Sequence, residues 1–227
     1  MLRKNQKRIF SKVLITASIV ALALTLSISA GGEEGKAKIF GKSYGQWSVE
    51  WFKWVEAIPE DENPLFSDGE VDLSIGQDGK VWFLAGSWIG PAERQGTVPA
   101  DKALFFPIFN IWAYNSPGET YTEEELRAMC EGFVDMVSVL SCTVDGDALP
   151  VSSVLRPKSI LRFQSPAFAL DGILGEVDLV VCDGYWVMLP PLSEGEHEIH
   201  FHAEIPEYEI VQDVIYNITV VDEDNGV

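Results

Sequence analysis

Apolar residues recur along this chain with two periods, and the switch between them outlines the fold. Trp47, Trp51, Trp54 and Ile58, joined by Val55, fall at helical spacing, while Glu50, Lys53 and Glu56 take the other side. Ser43 with Gln46 three residues later forms a capping box at the start of this helix, and Pro59 stops it. A second helix opens on the capping box Thr122/Glu125. Its apolar face runs through Leu126, Met129, Cys130, Phe133, Val134 and Val137. The helices are therefore expected near residues 44–57 and 123–138.

The rest reads with period two. Lys80–Gly86 is a strand, and Ala103–Ala113 is another in which Pro107 marks an edge or a bulge. Further strands are expected at Val139–Val144, Ile160–Phe163, Ala167–Leu170, Val177–Cys182, Tyr185–Leu189, Glu198–Ala203 and Asp213–Val221. Asp183-Gly184 is read as a turn between two of them. Residues 59–80 carry the Pro, Gly, Asp and Asn of a long loop. Short strands with frequent turns and no βαβ alternation predict a mainly β, single-domain β-sandwich over residues 43–221. It would be Ig-like or jelly-roll-like, with the two amphipathic helices packed on it.

The first thirty residues set the address. Arg3, Lys4, Lys7, Arg8 and Lys12 precede an apolar run from Val13, and Ser27, Ser29, Ala30, Gly31 and Gly32 follow it. That is the pattern of a secretory signal peptide, cut after Ser29 or Ala30. The run is also long enough for an uncleaved anchor, since about 18 apolar residues can just span a bilayer. Either way residues 31–227 are expected outside the cytoplasm, secreted or tethered, with residues 31–42 as a linker. Any membrane contact would run through residues 13–30 alone.

Charge sharpens this reading. The leader holds five of the sixteen Lys and Arg residues and none of the thirty-five Asp and Glu, so eleven basic side chains face thirty-five acidic ones in the remainder. Such a surface repels phosphate backbones and excludes nucleic acid as a partner. It suits solubility, a cation or a basic partner. Three cysteines allow one bridge in an oxidising compartment; Cys142 and Cys182, both on expected strands, are the candidate pair, and Cys130 is a buried thiol on a helix.

Several segments carry a likeness. They are Tyr44-Gly45-Gln46-Trp47 with Trp51 and Trp54, Ile58-Pro59 and Asn63-Pro64, Gly79–Gly86, Lys102–Pro107, and Thr143–Gly146. Asp183–Leu189 and the run Gly195, His197, Ile199, His200, Phe201 continue it. Together they resemble a family of exported prokaryotic proteins of unknown function. The resemblance implies export and a single domain, and transfers no catalytic residue. Leu192–Phe201 is also similar to the late strands of immunoglobulin-like modules, which implies a sandwich.

Candidate chemistry is sparse. His200 and His202 stand at i, i+2 on a strand and therefore on one face; with Glu207 they make a candidate divalent-metal set, similar to the first metal motif of cupins but without its glycine or a second motif. Trp88, Trp112 and Tyr114 lie nearer loops than the other aromatics and are candidates for stacking on a glycan. Acidic turns at Asp68/Asp72/Asp78, Asp145/Asp147 and the tail 222–227 offer oxygens for calcium but read first as solvated turns. No spacing singles out a carboxylate pair, and no nucleophile elbow, phosphate loop or His-Glu-x-x-His run occurs. The sequence thus points to a non-enzymatic extracytoplasmic binding or surface-associated module. A metal-dependent enzyme on His200, His202 and Glu207, or a structural envelope component, are the alternatives. No cofactor is required, and a glycan or cell-envelope partner fits best.

Overall fold

The computed structural model describes residues 38–222, apart from residue 89 and residues 153–157 and 171–176. The expected leader, most of the linker, and Glu223 and Asp224 of the tail lie outside the described residues. Helix α1 (Tyr44–Ala57) begins with the expected box: Ser43 Oγ accepts from the Gln46 N–H at 3.2 Å, and Gln46 Oε1 accepts from the Ser43 N–H at 2.9 Å. The chain turns extended at Ile58, as the residue before a proline prefers. Helix α2 (Glu123–Val134) opens on the reciprocal Thr122/Glu125 bonds, with three glutamates at the positive end of its dipole. It stops short of the expected residue 138 because the Ser138 N–H is already bonded to Glu204 O.

Two mixed sheets form the sandwich. The first has the order β1 (Gly69–Glu70), β3 (Ala92–Pro99), β12 (Ile210–Val221), β11 (Gly195–Ile205), β5 (Val139–Val144), β6 (Asp147–Ala148). The second runs β2 (Val81–Phe83), β4 (Ala103–Tyr114), β10 (Val177–Leu189), β8 (Ile160–Gln164), β7 (Val151–Ser152), with β9 (Phe168–Leu170) also on β10. Antiparallel pairs make the centre, while β3 joins β12, and β2 joins β4, in parallel. Phe106 of β4 stacks on Phe201 of β11 at 5.2 Å, so these residues lie where the two sheets face each other.

Helix α1 covers the opposite face of the second sheet. Trp51 meets Trp186 edge-on at 5.5 Å, Phe52 meets Trp112 at 5.4 Å, and Phe105 stacks on Trp186 at 5.1 Å. The expected tryptophan stripe is thus core, and its two buried indoles keep partners: Trp51 Nε1–H donates to Leu84 O at 2.8 Å and Trp54 Nε1–H to Ile75 O at 2.9 Å. Helix α2 covers the part of the inner face that the first sheet leaves open, through Leu126 and Cys130 against Val181, Ile111 and Ala113. Arg162 fixes it there, reaching Asp183 Oδ2 at 2.8 Å and Glu131 O at 3.2 Å while also bonding Asp135. Among the described residues nothing covers the outer face of the first sheet.

Three departures from the sequence reading have physical causes. Asp183-Gly184 is not a turn: β10 runs unbroken through it, and Asp183 is buried against Arg162. Gly184 serves a close approach, since a Cβ there would lie 2.6 Å from Phe109 O and 2.8 Å from Asn110 Cβ. Gly184→Ala is therefore expected to cost about 1–3 kcal/mol in a urea melt. Gly132→Ala, on a helix with nothing within 4 Å of the new Cβ, should be neutral or stabilising. A loss at Gly184 no larger than at Gly132 would remove the close-approach argument.

The sequence does not predict strand β3, because Ala92–Pro99 is largely polar and an arginine, Arg94, stands with Ala92 and Val98 among its inward residues. Cys142 and Cys182 do not bridge; all three cysteines are free and buried. Cys142 sits on β5 of the first sheet, whereas Cys182 packs among the α1-facing residues of the second, which leaves that sheet between them. Pro107 does mark a bulge: the β4–β10 register shifts opposite it, between Tyr185 and Trp186.

Candidate functional site

The uncovered face of the first sheet gathers the polar chemistry. Successive residues of a strand point to opposite faces, so Ile199, Phe201, Ala203 and Ile205 of β11 enter the core while Glu198, His200, His202 and Glu204 face out. Asp213 of β12 stands directly across from His202. The expected pairing of His200 with His202 on one face holds, and the two imidazoles share one carboxylate. His200 Nε2 lies 2.7 Å from Asp213 Oδ1 and His202 Nδ1 lies 3.4 Å from the same atom. His202 Nε2 is 2.8 Å from Glu204 Oε1. The hydrogen bond from His200, followed by that from His202, holds the Asp213 carboxyl below the usual range against a burial effect of opposite sign.

Glu207 does not join this group; it is exposed in the short turn Pro206–Tyr208 beyond β11. Asp213 and Glu204 face both nitrogens of His202 and Nε2 of His200 instead. Among the described residues no set of three His, Cys, Asp or Glu side chains is arranged to hold a metal ion. Ser141 of β5 is the cross-strand partner of His202 on its other side, so Ser141, His202 and Asp213 form a row. His202 Nε2 is turned to Glu204, however, so the row lacks the nucleophile–base hydrogen bond that acyl transfer needs.

At the other end of the same face lies a concavity of about 590 Å³. It is lined by Glu70, Gln95, Gly96, Thr97, Glu196, Glu198, Asn217, Ile218 and Thr219, together with Asp145 of the β5–β6 turn and His197. Asn217 is oriented by a 2.9 Å bond from its Nδ2–H to Glu93 Oε1. Asp145 has a left-handed backbone, φ 54°, followed by Gly146 at φ 82°, as a tight hairpin turn requires. Its Oδ1 accepts the Glu198 N–H at 3.0 Å and its Oδ2 lies 2.8 Å from His197 Nδ1. Burial opposes ionisation of both partners, but hydrogen bonding outweighs it, lowering the Asp145 pKa and raising that of His197.

The aromatic candidates come together elsewhere, at the edge of the α1 layer. Trp88 lies 5.5 Å from Trp112, tilted by 44°, and 6.4 Å from Phe66. Tyr114 packs half-buried against the same cluster. Its pKa is raised by burial first and then by Glu56 and Glu119. The backbone carrying Trp88 is tied down: its N–H donates to Leu65 O at 2.8 Å, and Arg94 donates to Ala85 O at 3.0 Å and Gly86 O at 2.9 Å.

Sequence reasoning missed Arg94, Asp213 and the lining from β1 and β3. Asp213 had a weak signal, since a strand beginning at that residue was expected, but its partner depends on the β11–β12 register. The chain matches no protein-family model and no curated protein. No helix among the described residues is long and apolar enough to cross a membrane.

Proposed function

We propose that this chain is an exported, non-enzymatic binding module that takes its ligand on the outer face of the first sheet. The observation that carries the reading is the 590 Å³ concavity in a sheet face that no other described element covers. Its volume lies within the range of small-molecule sites, roughly 300–1,000 Å³. Its lining is mainly polar, with carboxylates from Glu70, Glu196 and Glu198 and amides from Gln95 and Asn217 beside Ile218 and Gly96. That chemistry suits a cell-envelope ligand rich in hydroxyl or amino groups and disfavours a phosphate backbone. The basic and apolar leader supports delivery outside the cytoplasm. The metal-enzyme alternative loses support, because the imidazole nitrogens of His202 and Nε2 of His200 face carboxylates of their own sheet.

A second reading rests on the Trp88–Trp112 pair, whose anchored loop would present an indole to a sugar ring. Calorimetric titration of the purified protein with neutral and amino-sugar oligosaccharides separates the two. Binding weakened at least 10-fold by Glu70→Gln/Glu198→Gln, and unchanged by Trp88→Ala, is the expected result. The reverse pattern would move the site to the aromatic edge. No binding to any probe would sink the binding reading and leave a structural envelope component.

A further inference from the structure

His197 differs from the other two histidines in place and in partners. It alternates with Glu196 and Glu198, so it points to the inner side of β11 at the end of the sandwich, across from Ile218 of β12. Only 11% of its side chain is exposed. Both ring nitrogens face acceptors: Nδ1 is 2.8 Å from Asp145 Oδ2, and Nε2 is 2.8 Å from the Ser193 carbonyl oxygen. A neutral imidazole carries one N–H, so either tautomer would direct a lone pair at an acceptor. The Ser193 hydroxyl, 3.3 Å from Nε2, can donate instead. The imidazolium satisfies both contacts at once.

We infer that protonated His197 is a latch that holds the β5–β6 turn to the connection before β11, and that losing this proton releases the rim of the concavity. Asp145 is the hinge of the arrangement, because its other oxygen accepts from the Glu198 N–H while its own N–H donates to Glu198 O at 2.9 Å. Each group around His197 has a definite sense. Asp145, from the turn, favours the proton; Lys158, from the segment before β8, opposes it; Ser193 supplies acceptors; and Ile218 is apolar. The raised pKa of His197 agrees with this balance. A histidine whose folded pKa is raised contributes stability that is complete below its unfolded pKa and is lost as pH rises through the folded one. The latch is therefore closed at mildly acidic pH and opens on the alkaline side of the ordinary histidine value of 6.5. Release also removes the imidazolium from Asp145, which then keeps the Glu198 N–H and the charge of Lys158. The device stands whether or not the concavity binds a ligand.

Proton NMR of the full purified chain between pH 5 and 9, with amide exchange expressed as protection factors, tests it. The His197 ring, assigned by its loss in His197→Gln, should titrate above 6.5. Protection at Asp145, Glu198 and Gly195 should fall about 10-fold across that titration for each unit by which the pKa is raised. Asp145→Asn keeps a residue that tolerates the left-handed backbone and should bring the His197 midpoint back towards 6.5. In both variants protection should become independent of pH. A midpoint at or below 6.5, or protection in the unaltered protein that does not change through the titration, overturns the latch.

Discussion

Replacing Arg94 by methionine is expected to destabilise the protein by about 3–5 kcal/mol, seen as a lowered denaturant midpoint at pH 7. Arg94 is 0% exposed and points into the sandwich from a parallel strand at the side of the first sheet. Among the described residues no carboxylate shares its hydrogen bonds. Its guanidinium is solvated by carbonyl oxygens of Ser67, Ala85 and Gly86 at 2.9–3.0 Å and by the Tyr216 hydroxyl at 2.7 Å, with the Tyr216 ring beneath it at 5.2 Å. Methionine fills much of the volume but takes the guanidinium donors from the Ser67 and Gly86 oxygens, while Ala85 O keeps only the Tyr216 hydroxyl. Lysine is expected to do little better, because one ammonium cannot reach carbonyls spread along both edges of a planar fork. The same variants should alter tryptophan fluorescence, since the released loop carries Trp88. A loss below about 1 kcal/mol would show that water replaces the guanidinium at no great cost, and would end its role as the internal clamp.

Trp51→Ala should cost a similar amount, about 3–5 kcal/mol, and loosen α1 from the second sheet. Trp51 is 2% exposed and touches Phe52, Trp54 and Trp186 with ring centroids 5.1–6.2 Å apart. Its removal opens a cavity in the layer that seats the helix and deprives Leu84 O of the indole donor. Trp47 lies on the same stripe but only half-buried, bonding Ile39 O at 2.7 Å at the margin of the layer. Trp47→Ala is therefore expected to cost no more than about half as much. Equal losses at the two positions in a guanidinium melt would mean that α1 is held by its length and not by a buried centre.

These two residues also show where sequence reasoning succeeds and where it stops. Trp51 is legible because helical spacing and a capping box agree over fourteen residues, and local signals that agree specify an element. Arg94 is illegible because an arginine between Glu93 and Gln95 looks like solvent-facing chain; its burial depends on carbonyls of the loop at residues 84–88 that only the tertiary fold delivers. Asp183-Gly184 fails for a related reason. The pair has turn chemistry, but Arg162 compensates the acid and the neighbouring β4 backbone requires the missing Cβ. In the candidate site, strand alternation alone placed His200 beside His202. Their shared carboxylate follows from register, which brings Asp213 across from His202 and leaves Glu207 past the strand's end. The concavity draws on β1 and β3, two strands the polar pattern hid.

The three free thiols have a practical meaning of their own. Burial pushes Cys130 and Cys142 up to about 12, and Cys182 well above its ordinary value, so the folded protein presents almost no thiolate to a reagent. Alkylation must then wait for the chain to open, and the rate of iodoacetamide labelling becomes a clock for unfolding, with one sulfur under α2, one in the first sheet and one beneath α1. The same burial shields the thiols of the folded protein from exchange with glutathione.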